Sequence, residues 1–203
     1  MDFSKTYILE NDRVRLSPLE MAHAKELAKV SEEAAVWTYF LEKGQGIENL
    51  QAYVQSALQK YQAEQEYPFA IYDKSVGAYA GITRLYAYDP DLRIIKMGHT
   101  WLGKSFWGTG LNKHCKYLLF QFCFETLGLA RIGFGVHAEN LRSIHALQKM
   151  GCQQEGRLRD FLHKVNGQGR TDLLLFSMLQ NEWQDNVKSD FERSFSSPLK
   201  ASK

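Results

Sequence analysis

Apolar positions along this chain change period several times, and each change marks an element. Residues 13–18 alternate polar and apolar, with Val14 and Leu16 set between Arg13, Arg15 and Ser17, which predicts a half-buried strand. Leu19, Ala22, Leu27 and Val30 then fall near helical spacing. A second helix is clearer: Ile47 is followed at offsets of 3, 7, 10, 11 and 14 by Leu50, Val54, Ala57, Leu58 and Tyr61, all on one face. Between the two, residues 34–46 carry Trp37, Tyr39 and Phe40 and end in Gly44-Gln45-Gly46. Such aromatics line a pocket or plug the edge of a core, and the pattern leaves both readings open. From Pro68 the period shortens. Residues 69–72 read as a short strand, Asp73-Lys74-Ser75 as a turn, and 76–88 as a strand rich in β-branched and aromatic residues. Asp89-Pro90-Asp91 is the next turn and 93–102 the next strand. Connections this short join antiparallel neighbours.

Helical spacing returns over 111–127. Leu111, Cys115, Leu118, Leu119 and Phe122 form one stripe, and Phe120 and Phe124 extend it almost all round, so this helix belongs inside the core. Gly128 stands where a C-terminal cap belongs. A strand over 131–137 and a short helix over 140–150, closed by Gly151, come next. Residues 153–164 and 171–179 then face each other across Asn166-Gly167, a hairpin signal. The Ser- and Lys-rich segment 186–203 is predicted to fray. With no repeat and no linker, the expected organisation is one α+β domain over 1–185 and a polar tail over 186–203.

Composition narrows the partners. The chain has 203 residues, 44% hydrophobic and 24% charged, as a globular domain should. A net charge of +2 with neutral histidines gives no basic tract for nucleic acid. Cys115, Cys123 and Cys152 follow neither a CxxC nor a zinc spacing, so no metal or disulfide is expected and the thiols read as small hydrophobes. The first residues, MDFSKTYILENDR, hold no apolar signal core, and no run reaches the length of a membrane span. These points predict a cytoplasmic protein without a membrane partner.

The stretch that carries chemistry runs from Thr100 to Asn112, TWLGKSFWGTGLN. A strand ends, a loop with Gly108 and Gly110 follows, and a long helix starts. Glycines let backbone amides approach a ligand, and a helix start adds free N–H donors and partial positive charge. Together they suit a pyrophosphate, although glycines needed only for the turn would look the same. The segment lacks the GxxxxGK[ST] of a P-loop and the GxGxxG of a dinucleotide fold, and its strands form a meander outside any βαβ unit.

Downstream, Glu139-Asn140-Leu141-Arg142-Ser143 opens a helix that ends Lys149-Met150-Gly151-Cys152. With GHTWLGKSFWGTGLN and FETLGLARIGFGVHAENLRSIHALQKMGCQQEGRLRDF in this order, and ENDRVRLSPLEMAHAKEL near the start, the chain resembles the GNAT superfamily of acetyltransferases over residues 7–183. Its nearest likeness is to the Rim-type group, which acetylates N-termini of ribosomal proteins. The resemblance implies an α/β fold with a central mixed, mostly antiparallel sheet of about seven strands, flanked by helices and holding one splayed strand pair. It implies acetyl-CoA as co-substrate and a primary amine, a protein N-terminus or small molecule, as acceptor; a homodimer is compatible with it.

Carried over residue by residue, the diphosphate falls on amides of Phe106, Trp107, Gly108, Thr109 and Gly110, with Leu111 and Asn112 starting the helix. Ser105 stands where the family usually has Gln or Arg. The pantetheine arm falls beside main-chain groups of Trp101 and Leu102 and is hydrogen-bonded by Asn140, which equally reads as a helix N-cap. An amide near Trp101 or Leu102 would hold the oxyanion. The family's acidic Tyr is replaced by Leu147, and the resemblance to the Rim-type group points to Ser143 instead. Its common basic Glu is replaced by Lys96, which brings His99 forward as base, with His137 and Glu139 as lesser candidates. Regular alternation sets Lys96 and His99 on opposite faces. Acceptor choice falls to loops 34–46 and 85–93, where Glu32, Glu33, Asp89 and Asp91 are substrate carboxylates or plain surface. Two other readings remain: a non-catalytic acyl-CoA sensor, and a nucleotide-binding protein using the same loop.

Overall fold

The computed structural model describes residues 1–196. The strands form one sheet in the order β1-β2-β3-β4-β5-β6-β8-β7. The strands are β1 (Leu9–Glu10), β2 (Val14–Pro18), β3 (Glu66–Asp73), β4 (Ala78–Asp89), β5 (Ile94–Leu102), β6 (Arg131–His137), β7 (Gln153–His163) and β8 (Arg170–Leu179). There are eight rather than about seven, because β1 adds a two-residue edge paired with β2. Every neighbouring pair is antiparallel except β5 and β6.

Two apolar cores lie on opposite sides of this sheet. On one side, α1 (Ala22–Ser31) and α2 (Gly46–Gln62) bury Ala24, Leu27, Leu50, Val54 and Ala57 against Ala70, Ile82 and Trp101. On the other, α3 (Leu111–Gln121) and α4 (Leu141–Lys149) pack Leu111, Cys115, Leu119, Ile144 and Leu147 against Phe69, Met97 and Phe134. α3 continues into a π-helical turn over Phe122–Thr126, and Gly128 follows with φ +64°. The loop aromatics divide: Trp37 is 1% exposed and fills the smaller core, donating Nε1 to Ser31 O, whereas Tyr39 stays half-buried.

The expected polar tail is corrected as far as Ser196. After helical turns over Gln180–Glu182 and Trp183–Val187, α5 (Lys188–Ser196) packs on the α3 side. Phe191, 2% exposed, meets Phe120 and Trp183. Apolar contact there outweighs the polar composition around it. Residues 197–203 of that tail lie outside the described residues. No helix among the described residues is long and apolar enough to cross a membrane.

Candidate active site

β5 and β6 run parallel but stay paired only over Ile94↔Arg131, Ile95↔Ile132 and Lys96↔Gly133. Beyond that point β5 keeps its bonds to β4, and β6 keeps its bonds to β8 as far as His137↔Leu173. The two strands therefore part, and main-chain groups along the gap lose their sheet partners. Leu102 and Gly81 face each other while Gly103 N–H donates to Ala80 O at 2.8 Å, the pattern of a non-hydrogen-bonded pair. Leu102's own N–H and C=O consequently point away from β4, into the gap, and those of Trp101 point toward β4. Of the two expected main-chain sites, only Leu102 faces the gap. Its carbonyl is already taken by Trp107 Nε1 at 2.8 Å, which leaves the N–H.

The gap forms beside a bulge. Ile82 pairs with Trp101 and Arg84 with Gly98, so Thr83 stands opposite two residues, His99 and Thr100. His99 takes φ +50°, a left-handed value rare outside glycine. Its ring lies 5.3 Å from that of Tyr86, which is itself paired with Lys96. The extra residue shifts the alternation by one, and His99 shares the α1/α2 face with Lys96. Strict alternation, which separates them, is overturned here. Gly98 makes room for this: a Cβ there would sit 3.1 Å from the Tyr86 ring. Burial, and then the nearby Arg84 guanidinium, depress the His99 pKa, so the imidazole is neutral at pH 7.

At the other end of the gap, Phe106 and Trp107 amides close a short turn onto Gly103 O and Lys104 O. Among the described residues, the amides of Gly108, Thr109 and Gly110 have no acceptor. Gly108 and Gly110 take φ of +75° and +85°, and nothing lies within 4 Å of where their Cβ atoms would be. Three free N–H groups thus surround open space at the N-terminus of an 11-residue helix. The side chains of Phe106 and Leu111 are buried in the larger core, and Asn112 Oδ1 is buried without a donor. These residues have main-chain groups, rather than side chains, to offer a ligand.

α4 closes the side of the gap. Asn140 is its N-cap, with Oδ1 accepting from Ser143 N at 3.1 Å, and among the described residues its Nδ2 has no hydrogen bond. The Ser143 hydroxyl, half-buried in the same turn, has no hydrogen bond among the described residues. Leu147 is packed in the core. Arg142 lays its guanidinium 3.5 Å from the Trp107 ring centroid, tying α4 to the glycine loop. Tyr39 donates from its hydroxyl to Glu139 O at 2.8 Å and packs on His137, so loop 34–46 reaches the end of β6 on the α1/α2 side. Lys116, which the sequence pattern did not single out, approaches the gap from α3 and bonds Thr100 Oγ1.

A family model described as an acetyltransferase (GNAT) domain matches residues 13–153. The uncharacterized N-acetyltransferase YoaA of Bacillus subtilis (strain 168) is 27% identical over 158 residues, 77% of this chain and 89% of that protein. The uncharacterized N-acetyltransferase p20 of Bacillus licheniformis is 37% identical over 82 residues, 40% of this chain and only 45% of that protein's length. A GCN5-related N-acetyltransferase from Brucella melitensis superposes with a TM-score of 0.83 at 26% identity, over 93% of this chain and 85% of that one. RimJ of Mycobacterium smegmatis, solved in complex with CoA-disulfide, shares the fold with a TM-score of 0.76 at 19% identity over 94% of both chains. The family match spans well over half of the sequence and takes in the parallel strand pair, the glycine loop and α4: the chain belongs to the GNAT family of acetyltransferases.

Proposed function

We propose that the chain, as a single domain over at least residues 1–185, moves an acetyl group from acetyl-CoA to a primary amine by direct attack of that amine on the thioester. The observation that carries this reading is the set of unpartnered amides at Gly108, Thr109 and Gly110, at the head of a helix beside parting parallel strands. Those amides and the start of α3 suit a diphosphate, with the amides of Leu111 and Asn112 at the helix end. The gap-facing N–H of Leu102 suits an amide-bearing arm lying in as an added strand, and Asn140 Nδ2 is free to donate to it. Acetyl-CoA brings the activated acyl group; the chain's own groups hold and orient it.

Roles for the reacting end follow from the faces. His99, neutral and on the α1/α2 face, accepts the proton that the attacking nitrogen loses. Alternation from Leu102 turns the Thr100 N–H toward the gap as well, and this amide beside the bulge receives the oxyanion. Ser143 donates a hydrogen bond to the departing sulfur from its unpaired hydroxyl. The acceptor enters on the α1/α2 face past loop 34–46, beside Tyr39.

Calorimetry with CoA and a thiol-release assay with acetyl-CoA and a panel of peptides and small amines test this directly. Binding together with amine-dependent thiol release is the expected result. Binding without turnover on any amine would favour a sensor, and no binding at millimolar CoA would overturn the reading altogether.

A further inference from the structure

Lys116 lies on α3 and is 5% exposed, although it is a lysine. Among the described residues no carboxylate pairs with it. Among the described residues its one hydrogen bond runs from Nζ to Thr100 Oγ1 at 3.1 Å, and that hydroxyl is 2.7 Å from Thr83 Oγ1. The Phe134 ring centroid is 5.9 Å from Nζ. These two neighbours stand on opposite sides of the gap. Thr100 is on β5 and Phe134 on β6, both past the final Lys96↔Gly133 pair. The ammonium therefore sits where the strands part, on the face opposite His99. The Lys116 backbone lies about 7.5 Å along the axis from the start of α3, the end that carries the free amides.

Burying a cation without an anion is unfavourable, and a leucine would pack this site at no such cost. A charge kept there in spite of that cost has work in the gap. We infer that Lys116 is a catalytic residue that protonates the sulfur leaving the thioester. This rests on the acyl-CoA reading above. As the amine nitrogen bonds to the carbonyl carbon, the carbon–sulfur bond breaks and its electron pair goes to sulfur. The Lys116 ammonium gives that sulfur a proton, and the proton lost by the acceptor nitrogen, passed through His99 and water, restores the ammonium. Ser143 complements this step, because an alcohol is a far weaker acid than a thiol and holds the sulfur without protonating it.

The surrounding groups favour the assignment. Burial pushes the Lys116 ammonium down to about 8, close to the ordinary thiol value of about 8.5, so the transfer is nearly even. The titratable groups packed around it are Cys115 on α3, Cys123 on the π-turn and Cys152 before β7. Burial raises all three, Cys115 and Cys152 to about 12, so they stay neutral while Lys116 titrates.

The test compares wild type with Lys116→Met, which keeps the length and apolar stem. We expect kcat to fall about 100-fold, with CoA affinity within about threefold and an unfolding midpoint no lower than wild type. Independently of turnover, thiolate absorbance of bound CoA should titrate about one pH unit lower in wild type than in the variant. Equal titration curves with kcat within about threefold would overturn the role. Should Lys116→Met not fold, the wild-type titration decides, since a bound thiol ionising at the pH of free CoA overturns it too. Wild type that binds no CoA defeats the acyl-carrier reading and this inference with it; wild type that binds CoA with an unshifted thiol defeats this inference alone.

Discussion

Glu66→Gln tests how the bulge is held. Arg84 sits under His99 in the sheet, paired with Gly98, and its side chain is 0% exposed. Its Nη1 donates to Glu66 Oε2 at 2.9 Å, its guanidinium lies 4.3 Å from the Tyr53 ring centroid, and Nε and Nη2 have no partner among the described residues. The carboxylate of Glu66 is thus the anion that compensates a fully buried cation. Its other oxygen reaches Lys60 Nζ at 3.4 Å near the rim. Glutamine keeps the shape and one acceptor but removes the charge. Breaking one side of a buried pair costs about 3–5 kcal/mol, and the retained acceptor sets this case near the lower end. In a domain of this size that lowers Tm by about 6–12 °C, readable by thermal and urea unfolding. Arg84→Met should cost less, because Glu66 keeps Lys60, and the double variant should be less destabilised than the sum of the two. The same pair sets the field at His99: burial depresses its pKa first, Arg84 depresses it further and Glu66 raises it. Imidazole NMR should therefore show the His99 pKa falling in Glu66→Gln and rising in Arg84→Met. A cost under about 1 kcal/mol for Glu66→Gln, or shifts of one sign in both variants, would refute the reasoning.

Three further outcomes follow from the same geometry. Gly110→Ala meets no atom within 4 Å but must hold φ +85°, so urea unfolding should show about 1–2 kcal/mol of stability lost, while calorimetry should show CoA binding weakened by more than about tenfold as the new methyl covers the amides. Asn140→Ala should cost about 1 kcal/mol through the lost cap to Ser143 N, whereas Ser143→Ala should leave unfolding unchanged and lower kcat; a change in unfolding without one in kcat would make Ser143 structural. Burial depresses the pKa of His23, His99 and His114, so the unfolded chain binds protons below about 6.5 that the fold refuses. Stability is full above that pH and is lost as pH falls toward the folded values; a midpoint that stays level or rises from pH 7 to 5.5 would contradict this.

What the sequence made legible, and what it hid, divides along one physical line. Periodicity works where an element is regular and half-buried: the limits of β6 and the apolar face of α2 are readable from side-chain pattern, and Gly108 and Gly110 mark a turn only glycine makes easily. Two aromatics at helical spacing, Phe191 and Phe195, signal α5 inside a polar stretch, but composition averaged over that stretch conceals them. The bulge is different in kind. One added residue reverses the face of everything beyond it, and its only mark is Gly98, beside a histidine whose φ no sequence reports. Lys116 falls between the two. A helix apolar on nearly every side has few positions facing solvent, so a lysine in its second turn is a conflict visible in the sequence, yet its partners on β5 and β6 come together only when those strands part. The bulge, the parting strands and the buried ammonium all break the rules that make the rest readable, and they meet at one place. A regular sheet satisfies its own amides and buries no charge, so it has nothing to offer a ligand. Main-chain groups of β5 are left for something else to pair with because β5 and β6 pair no further than Lys96↔Gly133, while β5 keeps β4.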